Sequence, residues 1–452
     1  MVQEKTNNVV YLAQAYQEQE DLEKEEDFLE RFVEEDLSIS HLQREYRKLL
    51  NEIEILRSEN RWEQILILCH PVEEKWPHLA EANLVYHIQG EVLFALCQLK
   101  RFAEALDVGL ARVSADENNF MAHSQLAFVA YSALLADKNR EIVLTPKERK
   151  KFRELTHLYF TKSQHLRPDG VTCFYRHGML YKNFGGKLEK AIPLFQRAVE
   201  NWEQYDEEKR KARHQERKNY VKSLYQLAVC HLDMEKPDQA FNWIQKCIEE
   251  DSSTGYMSSV HKYYSLGKAH YAMKNYEEAS KALERALVEA HPESNDYVFE
   301  LLARSYLAQS LPVKAQEVLA KIPQSRRRPY ILWTEAEIAV ALKQLDKAKQ
   351  TLLKASEIDR KGAHKALIRL AKLEIRVGNL SKALESVEKA NMFFQKTYGN
   401  PYHEALFWQT AILIKMGRKS EAEKTLQDLY SFNPYYPHLN RLRKELAKIS
   451  RT

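Results

Sequence analysis

Apolar side chains along this chain fall three and four residues apart, the spacing that gathers them on one face of a helix, with polar residues between. Within that pattern, a small alanine followed four residues later by a large apolar residue returns at Ala191, Ala240, Ala279, Ala315, Ala348, Ala383 and Ala422, and Ala105, with Gly109 in place of the large residue, marks an earlier, degenerate member. From Ala240 onward the members stand 39, 36, 33, 35 and 39 residues apart. A fixed period in that range predicts stacked helical hairpins, not a single closed globule.

Three stretches carry the fullest version of the unit. Phe174, His177, Gly178 and Tyr181 precede Ala191 and Phe195; Tyr263, Leu266, Gly267 and His270 precede Ala279 and Leu283; Phe299, Leu302, Ala303 and Tyr306 precede Ala315 and Leu319. On these residues the chain resembles the tetratricopeptide repeat family. A large residue and then a small one on the first helix let the alanine of the second helix approach closely. Weaker copies run through Leu224, Leu227, Ala228, His231, Ala240 and Ile244; Leu332, Ala336, Ala348 and Leu352; Leu367, Leu370, Ala371, Ala383 and Val387; and Leu406, Thr410, Ala422, Leu426 and Pro434. Toward the N-terminus the signal decays. Phe102 and Ala105 mark one hairpin, Trp62, Ile65 and Pro77 a poorer one, and Leu126, Ala127, Phe160 and Pro168 one interrupted around Asp137 to Thr145. The expected fold is all-α, a right-handed superhelical solenoid of about ten hairpins with a C-terminal capping helix.

The expected organisation is an acidic amphipathic arm over 1–36, degenerate repeats over 37–136, repeats with an insertion and an extended charged helix over 137–220, regular repeats over 221–436, and a cap over 437–452. Thr145-Pro146 with Glu148 reads as a helix start. The charged stretch from Asp206 to Asn219 reads as a solvated extension of one helix. An apolar content of 44% is enough for a continuous core, and 12 glycines and 13 prolines leave little room for long linkers.

No apolar run approaches the length needed to span a membrane, and the first ten residues lack the pattern of a secretory signal. The five cysteines, Cys69, Cys97, Cys173, Cys230 and Cys247, are odd in number and unclustered. These features predict a cytoplasmic protein without membrane insertion. Phosphate-loop, dinucleotide, zinc-protease and C-x-x-C patterns are all missing. Gly185-Gly186 falls where a turn ends the first helix of a repeat. Cys230 and His231 adjoin in sequence but point apart on a helix, and His157 and His165 share a helical face without a third ligand. The expectation is therefore no enzyme, no cofactor and no metal.

What remains is a surface. In the family that the chain resembles, the residue after the large one of the first helix faces a concave groove; here that is Tyr175, Tyr225, Tyr264, Glu300, Trp333, Ile368 and Phe407, five of them aromatic. Arg176, Lys222, Lys268, Arg304, Lys372 and Arg376 interleave with them. An aromatic, basic groove suits a peptide segment or helix of a partner protein. The lysine and asparagine set with which the family holds a terminal carboxylate is missing its asparagines. Rings with cations also suit single-stranded nucleic acid, the second reading, and a regulatory subunit that switches an enzyme or a transcription factor is a third. Residues 1–36 hold 12 acidic and 3 basic side chains, a net of −9. With +4 overall, the remainder carries +13. Leu22, Phe28, Leu29, Phe32 and Val33 gather on one helical face of that arm; the readings are docking on the groove of its own chain or of another copy, which would regulate the groove, binding of a separate partner, or mere solvation of the end of the solenoid.

Overall fold

The computed structural model describes residues 39–449, and its described residues form helices and connecting turns with no strand. Two compact units divide after Met257, inside the 221–436 block that the sequence period treats as continuous. The sequence arm, with Leu22, Phe28, Leu29, Phe32 and Val33, lies outside the described residues.

The first unit runs α1 (Ile39–Ser58), α2 (Trp62–Cys69), α3 (Val72–Lys75), α4 (Pro77–Glu81), α5 (Tyr86–Gln98), α6 (Phe102–Ala115), α7 (Phe120–Lys138), α8 (Pro146–Leu166), α9 (Thr172–Gly185), α10 (Leu188–Glu203), α11 (Glu207–Ala212), α12 (His214–Asp233) and α13 (Pro237–Glu250). Packing follows the hairpins α5 with α6, α7 with α8, α9 with α10 and α12 with α13. The second unit runs α14 (Ser259–Ala272), α15 (Tyr276–Leu287), α16 (Asp296–Ala308), α17 (Pro312–Ala320), α18 (Pro329–Ala341), α19 (Leu345–Ile358), α20 (Ala363–Arg376), α21 (Leu380–Tyr398), α22 (His403–Lys415), α23 (Lys419–Phe432) and α24 (Leu439–Ile449). Its five hairpins pair consecutive helices from α14 to α23, and α24 packs on α22 and α23 through buried Leu439, Leu442 and Leu446. Each unit is a helical-hairpin solenoid in which every hairpin covers its neighbour's apolar face.

The repeat residues fold this way for a steric reason. The alanines from Ala105 to Ala422 that define the period are all fully buried, and the glycine of the motif marks the closest approach of the two helices. A Cβ added at Gly267 on α14 would stand 2.5 Å from Leu283 Cγ on α15, and one at Gly178 on α9 would stand 2.6 Å from the Phe195 ring on α10. The turns share one geometry. Lys100, Glu235, Lys274, Ser310 and Lys343 hold positive φ just past the first helix of their hairpins. The next amide bonds back five residues, as from Gln344 N to Ala339 O at 2.8 Å and from Asn275 N to His270 O at 2.9 Å, a Schellman closure that normally employs glycine.

One local expectation is refined and one corrected. Trp62 and Ile65 lie on α2, which turns back on α1 through Asn60 at positive φ with Arg61 N bonded to Leu56 O at 2.8 Å, and which also packs on α5 with Trp62 edge-on to Phe94 at 5.1 Å; Pro77 opens the short α4, which with α3 follows that pair. The stretch from Asp206 to Asn219 is not one solvated helical extension. It breaks at Arg213 between α11 and α12, and Gln215, Glu216 and Asn219 are buried. Glu216, 1% exposed, lies 3.0 Å from the Arg167 guanidinium and 2.7 Å from the Tyr205 hydroxyl that donates to it. Its charge is spent inside the unit. The interrupted hairpin is ordered by similar means: Thr145 caps α8 in a capping box with Glu148, and Asp137 accepts from Leu144 N and Arg149.

Candidate interaction surface

The first helices of the second unit, α14, α16, α18, α20 and α22, neighbour one another along one side of the stacked hairpins. Cations from one repeat reach across to rings of the next. The Arg304 guanidinium on α16 sits 4.8 Å over the Tyr271 ring on α14 and donates to its hydroxyl at 3.2 Å. Arg369 on α20 lies 4.4 Å over Trp333 on α18, and Lys372 on α20 lies 5.0 Å over Trp408 on α22. The pairs are 33, 36 and 36 residues apart in sequence, so the ladder has the period of the repeat. Phe407 continues it, packed at 5.5 Å on Trp408 and 5.6 Å on Tyr436. At the other end Tyr264 meets Tyr297 edge-on at 4.6 Å.

Between α18 and α20 this side opens into a pocket of about 180 Å³. Its floor is apolar, from Ala336, Val340, Leu352 and Leu373 with the Trp333 ring; its rim carries Arg369, Lys372 and Arg376 against the single carboxylate of Glu337. The cations are unequally committed. Lys372 donates to Glu404 at 2.9 Å; burial pushes the Glu404 carboxyl up, but hydrogen bonds from Lys372 and Tyr402 outweigh it and hold it below the usual range. Arg369 reaches Glu337 only at 3.7 Å. Exposed Arg376 makes no hydrogen bond or ion pair among the described residues. The Trp333 indole nitrogen is buried and finds no hydrogen-bond acceptor among the described residues.

The expected groove residues therefore separate. Trp333, Lys372 and Arg376 meet at the pocket, and Arg304 and Phe407 belong to the same ladder; Tyr225, Tyr264 and Lys268 are half-buried. Tyr175, Arg176 and Lys222, expected on an open groove, are 4%, 3% and 5% exposed, with Arg176 laid 4.5 Å over Phe128. They present little surface to a ligand. Glu300 and Ile368 are likewise buried. Glu300 accepts from Thr334 of the next repeat at 2.6 Å, and burial pushes its carboxyl up. Arg369, Tyr271 and Trp408 were missed by the sequence reading; their offsets of one repeat length were the available signal.

The remaining candidate chemistry resolves into packing. His157 contacts His177 rather than His165, its Nδ1 2.9 Å from His177 Nε2, with Gln164 3.1 Å from the other nitrogen of His177. Burial, reinforced by His157, pushes His177 down to about 3. Among the described residues no group of three or more His, Cys, Asp or Glu side chains could hold a metal. Cys230 is buried and its thiol is pushed up to about 11 by that burial. Gly186 takes the left-handed conformation that ends α9. No described helix is long and apolar enough to cross a membrane.

Hairpins of this geometry, closed by buried alanine and small motif residues, define a helical-repeat protein of the tetratricopeptide type. The family model described as "Tetratricopeptide repeat" matches residues 330–361, the α18–α19 hairpin, and that described as "Anaphase-promoting complex, cyclosome, subunit 3" matches residues 186–286. No curated protein matches the chain. Solved structures similar to it include a Pyrococcus horikoshii signal-transduction ATPase with a tetratricopeptide repeat sensor, at TM-score 0.44 and 17% identity over 76% of this chain and 54% of that one. Yeast Tom70 gives 0.38 and 12% over 90% and 96%, and the Cut9–Hcn1 hetero-tetramer of the APC/C gives 0.37 and 10% over 81% and 98%.

Proposed function

We propose that the protein is a non-enzymatic interaction scaffold, and that the first-helix side of its second unit docks a segment of a partner protein. Repeats of the tetratricopeptide type generally mediate protein–protein interactions. The observation that carries the assignment to this side is the ladder of cations over half-exposed rings, which runs past a pocket whose rim holds more cations than carboxylates. Aromatic rings held flat by guanidinium groups give a docking segment large contact area with little side-chain ordering cost.

The test is affinity capture from a native extract with the wild-type chain and with a Trp333→Ala, Arg369→Ala, Phe407→Ala variant, each checked for an unchanged helical spectrum. Loss of a specific set of proteins from the variant supports the docking surface. An identical bound set for both chains refutes it, and so does copurifying nucleic acid lost in the variant.

A further inference from the structure

The pocket between α18 and α20 does more than offer area, because its chemistry selects by charge. Of the side chains on its rim three are cationic and one is a carboxylate; Glu404 holds Lys372, Arg369 keeps a looser 3.7 Å contact with Glu337 and donates to Lys365 O, and exposed Arg376 makes no ion pair among the described residues. The floor is apolar. Beside the floor sits a buried indole N–H that lacks an acceptor. A group that answers all of these at once carries negative oxygen atoms for the guanidinium groups and the indole, and an adjoining apolar side chain for Val340, Leu352 and Leu373.

We propose that this pocket receives an acidic amphipathic peptide segment of a partner, one internal Asp or Glu carboxylate accepting from the Trp333 indole and pairing with Arg369 and Arg376 while a neighbouring apolar side chain fills the floor. Paired guanidinium groups match the planar carboxylate and hold it more firmly than lysines would. A phosphate of a nucleic acid satisfies the cations but leaves the apolar floor unfilled, so the peptide is the better match. The recognised charge is internal to the segment, so no chain terminus is needed. This inference rests on the docking reading above.

The probe is a fluorescein-labelled twelve-residue peptide of glutamate, phenylalanine and leucine, titrated into the full-length protein and followed by anisotropy. Its counterpart has glutamine in place of every glutamate. The acidic peptide is expected to bind and the glutamine peptide to bind at least tenfold more weakly. Arg369→Ala with Arg376→Ala costs about tenfold or more, Trp333→Phe, which keeps the ring and removes the N–H, costs several-fold, and raising the salt weakens binding. Arg441→Ala, on α24 away from the pocket, is the control that changes nothing. Equal binding of the two peptides, binding unchanged in the arginine variant, or stronger binding of a labelled single-stranded oligonucleotide that the same variant abolishes would overturn the proposal. If Trp333→Ala loses captured partners while both peptides fail to bind, the docking surface stands and its acidic preference falls.

Discussion

Replacing Gly267 with alanine tests the steric basis of the repeat. The new methyl would lie 2.5 Å from Leu283 Cγ, 2.9 Å from Leu283 Cδ2 and 3.3 Å from the Ala279 carbonyl oxygen. Ordinary carbon contacts sit near 3.5–4.0 Å, so α14 and α15 must separate by about 1 Å or Leu283 must leave its rotamer. Leu283 Cγ is one bond from the atom fixed to the backbone and has little freedom to swing, and its side chain is fully buried. Overpacking of this kind costs about 2–3 kcal/mol, against a gain of about 1 kcal/mol from the better helix propensity of alanine. The net expectation is a loss of about 1–2 kcal/mol, read by urea denaturation of the full chain followed by circular dichroism. Because solenoid stability is a sum of neighbour terms, native-state hydrogen exchange should place the loss in α14 and α15. Leu283→Ala alone costs about 2–5 kcal/mol, and in the double variant much of the Gly267→Ala penalty should vanish, a coupling of about 1 kcal/mol or more. A Gly267→Ala protein as stable as wild type, or a cycle with no coupling, would refute close helix approach as the reason for glycine here.

Three further outcomes follow from other contacts. His177, held neutral by burial well below the 6.5 of an unfolded histidine, leaves the unfolded chain to bind the extra proton on acidification; the stability it protects is complete above about pH 6.5 and is lost as pH falls toward about 3, by up to ~1.4 kcal/mol per unit, so His177→Phe should flatten the fall of urea midpoint between pH 6.5 and 5. Glu216→Ala strands the buried Arg167 guanidinium and should cost about 3–5 kcal/mol, whereas Glu216→Leu with Arg167→Met should recover most of it, both read by urea denaturation. Lys343→Gly relieves a side chain held at φ 61° and should raise the thermal midpoint, by about 1 kcal/mol in stability.

The architecture was legible because it depends on size at periodic positions. Ala191 to Ala422 and their partners four residues on must be small and large for the hairpins to close, whatever the rest of the repeat does, and all of those alanines are buried. The turns were less legible. Lys274, Ser310 and Lys343 stand where a left-handed residue is required, and the expected glycine signal occurs there only at Gly186, Gly378 and Gly417. The site was legible in part. Trp333 and Lys372 follow from counting along a single helix, but Ile368, in the same register as Trp333, is buried. Its neighbour Arg369 is the residue that reaches back to the tryptophan. Which long side chain crosses to which ring depends on the rotation of each helix against the next, and spacing within one helix carries no information about that.

Charge shows the same division between what composition fixes and what packing decides. Arg326, Arg327 and Arg328 are consecutive in sequence, yet Arg327 pairs with Glu335 at 2.9 Å, Arg328 donates to Asp296 through Nε at 2.7 Å, and Arg326 reaches Glu293 at 4.0 Å. Lys349 is spent on Glu374 at 3.0 Å. Cations paired in this way are poor donors to a ligand, because each new contact must first replace an existing one. At the α18 and α20 pocket the accounting differs: three cations share the rim with the single carboxylate of Glu337, and Arg376 makes no ion pair among the described residues. The excess positive charge of the chain beyond its acidic first 36 residues therefore does not by itself mark an anion site. Under the docking proposal, an anion would meet Arg376, which folding leaves without an ion pair among the described residues, and the loosely paired Arg369, beside an apolar floor and a buried indole N–H.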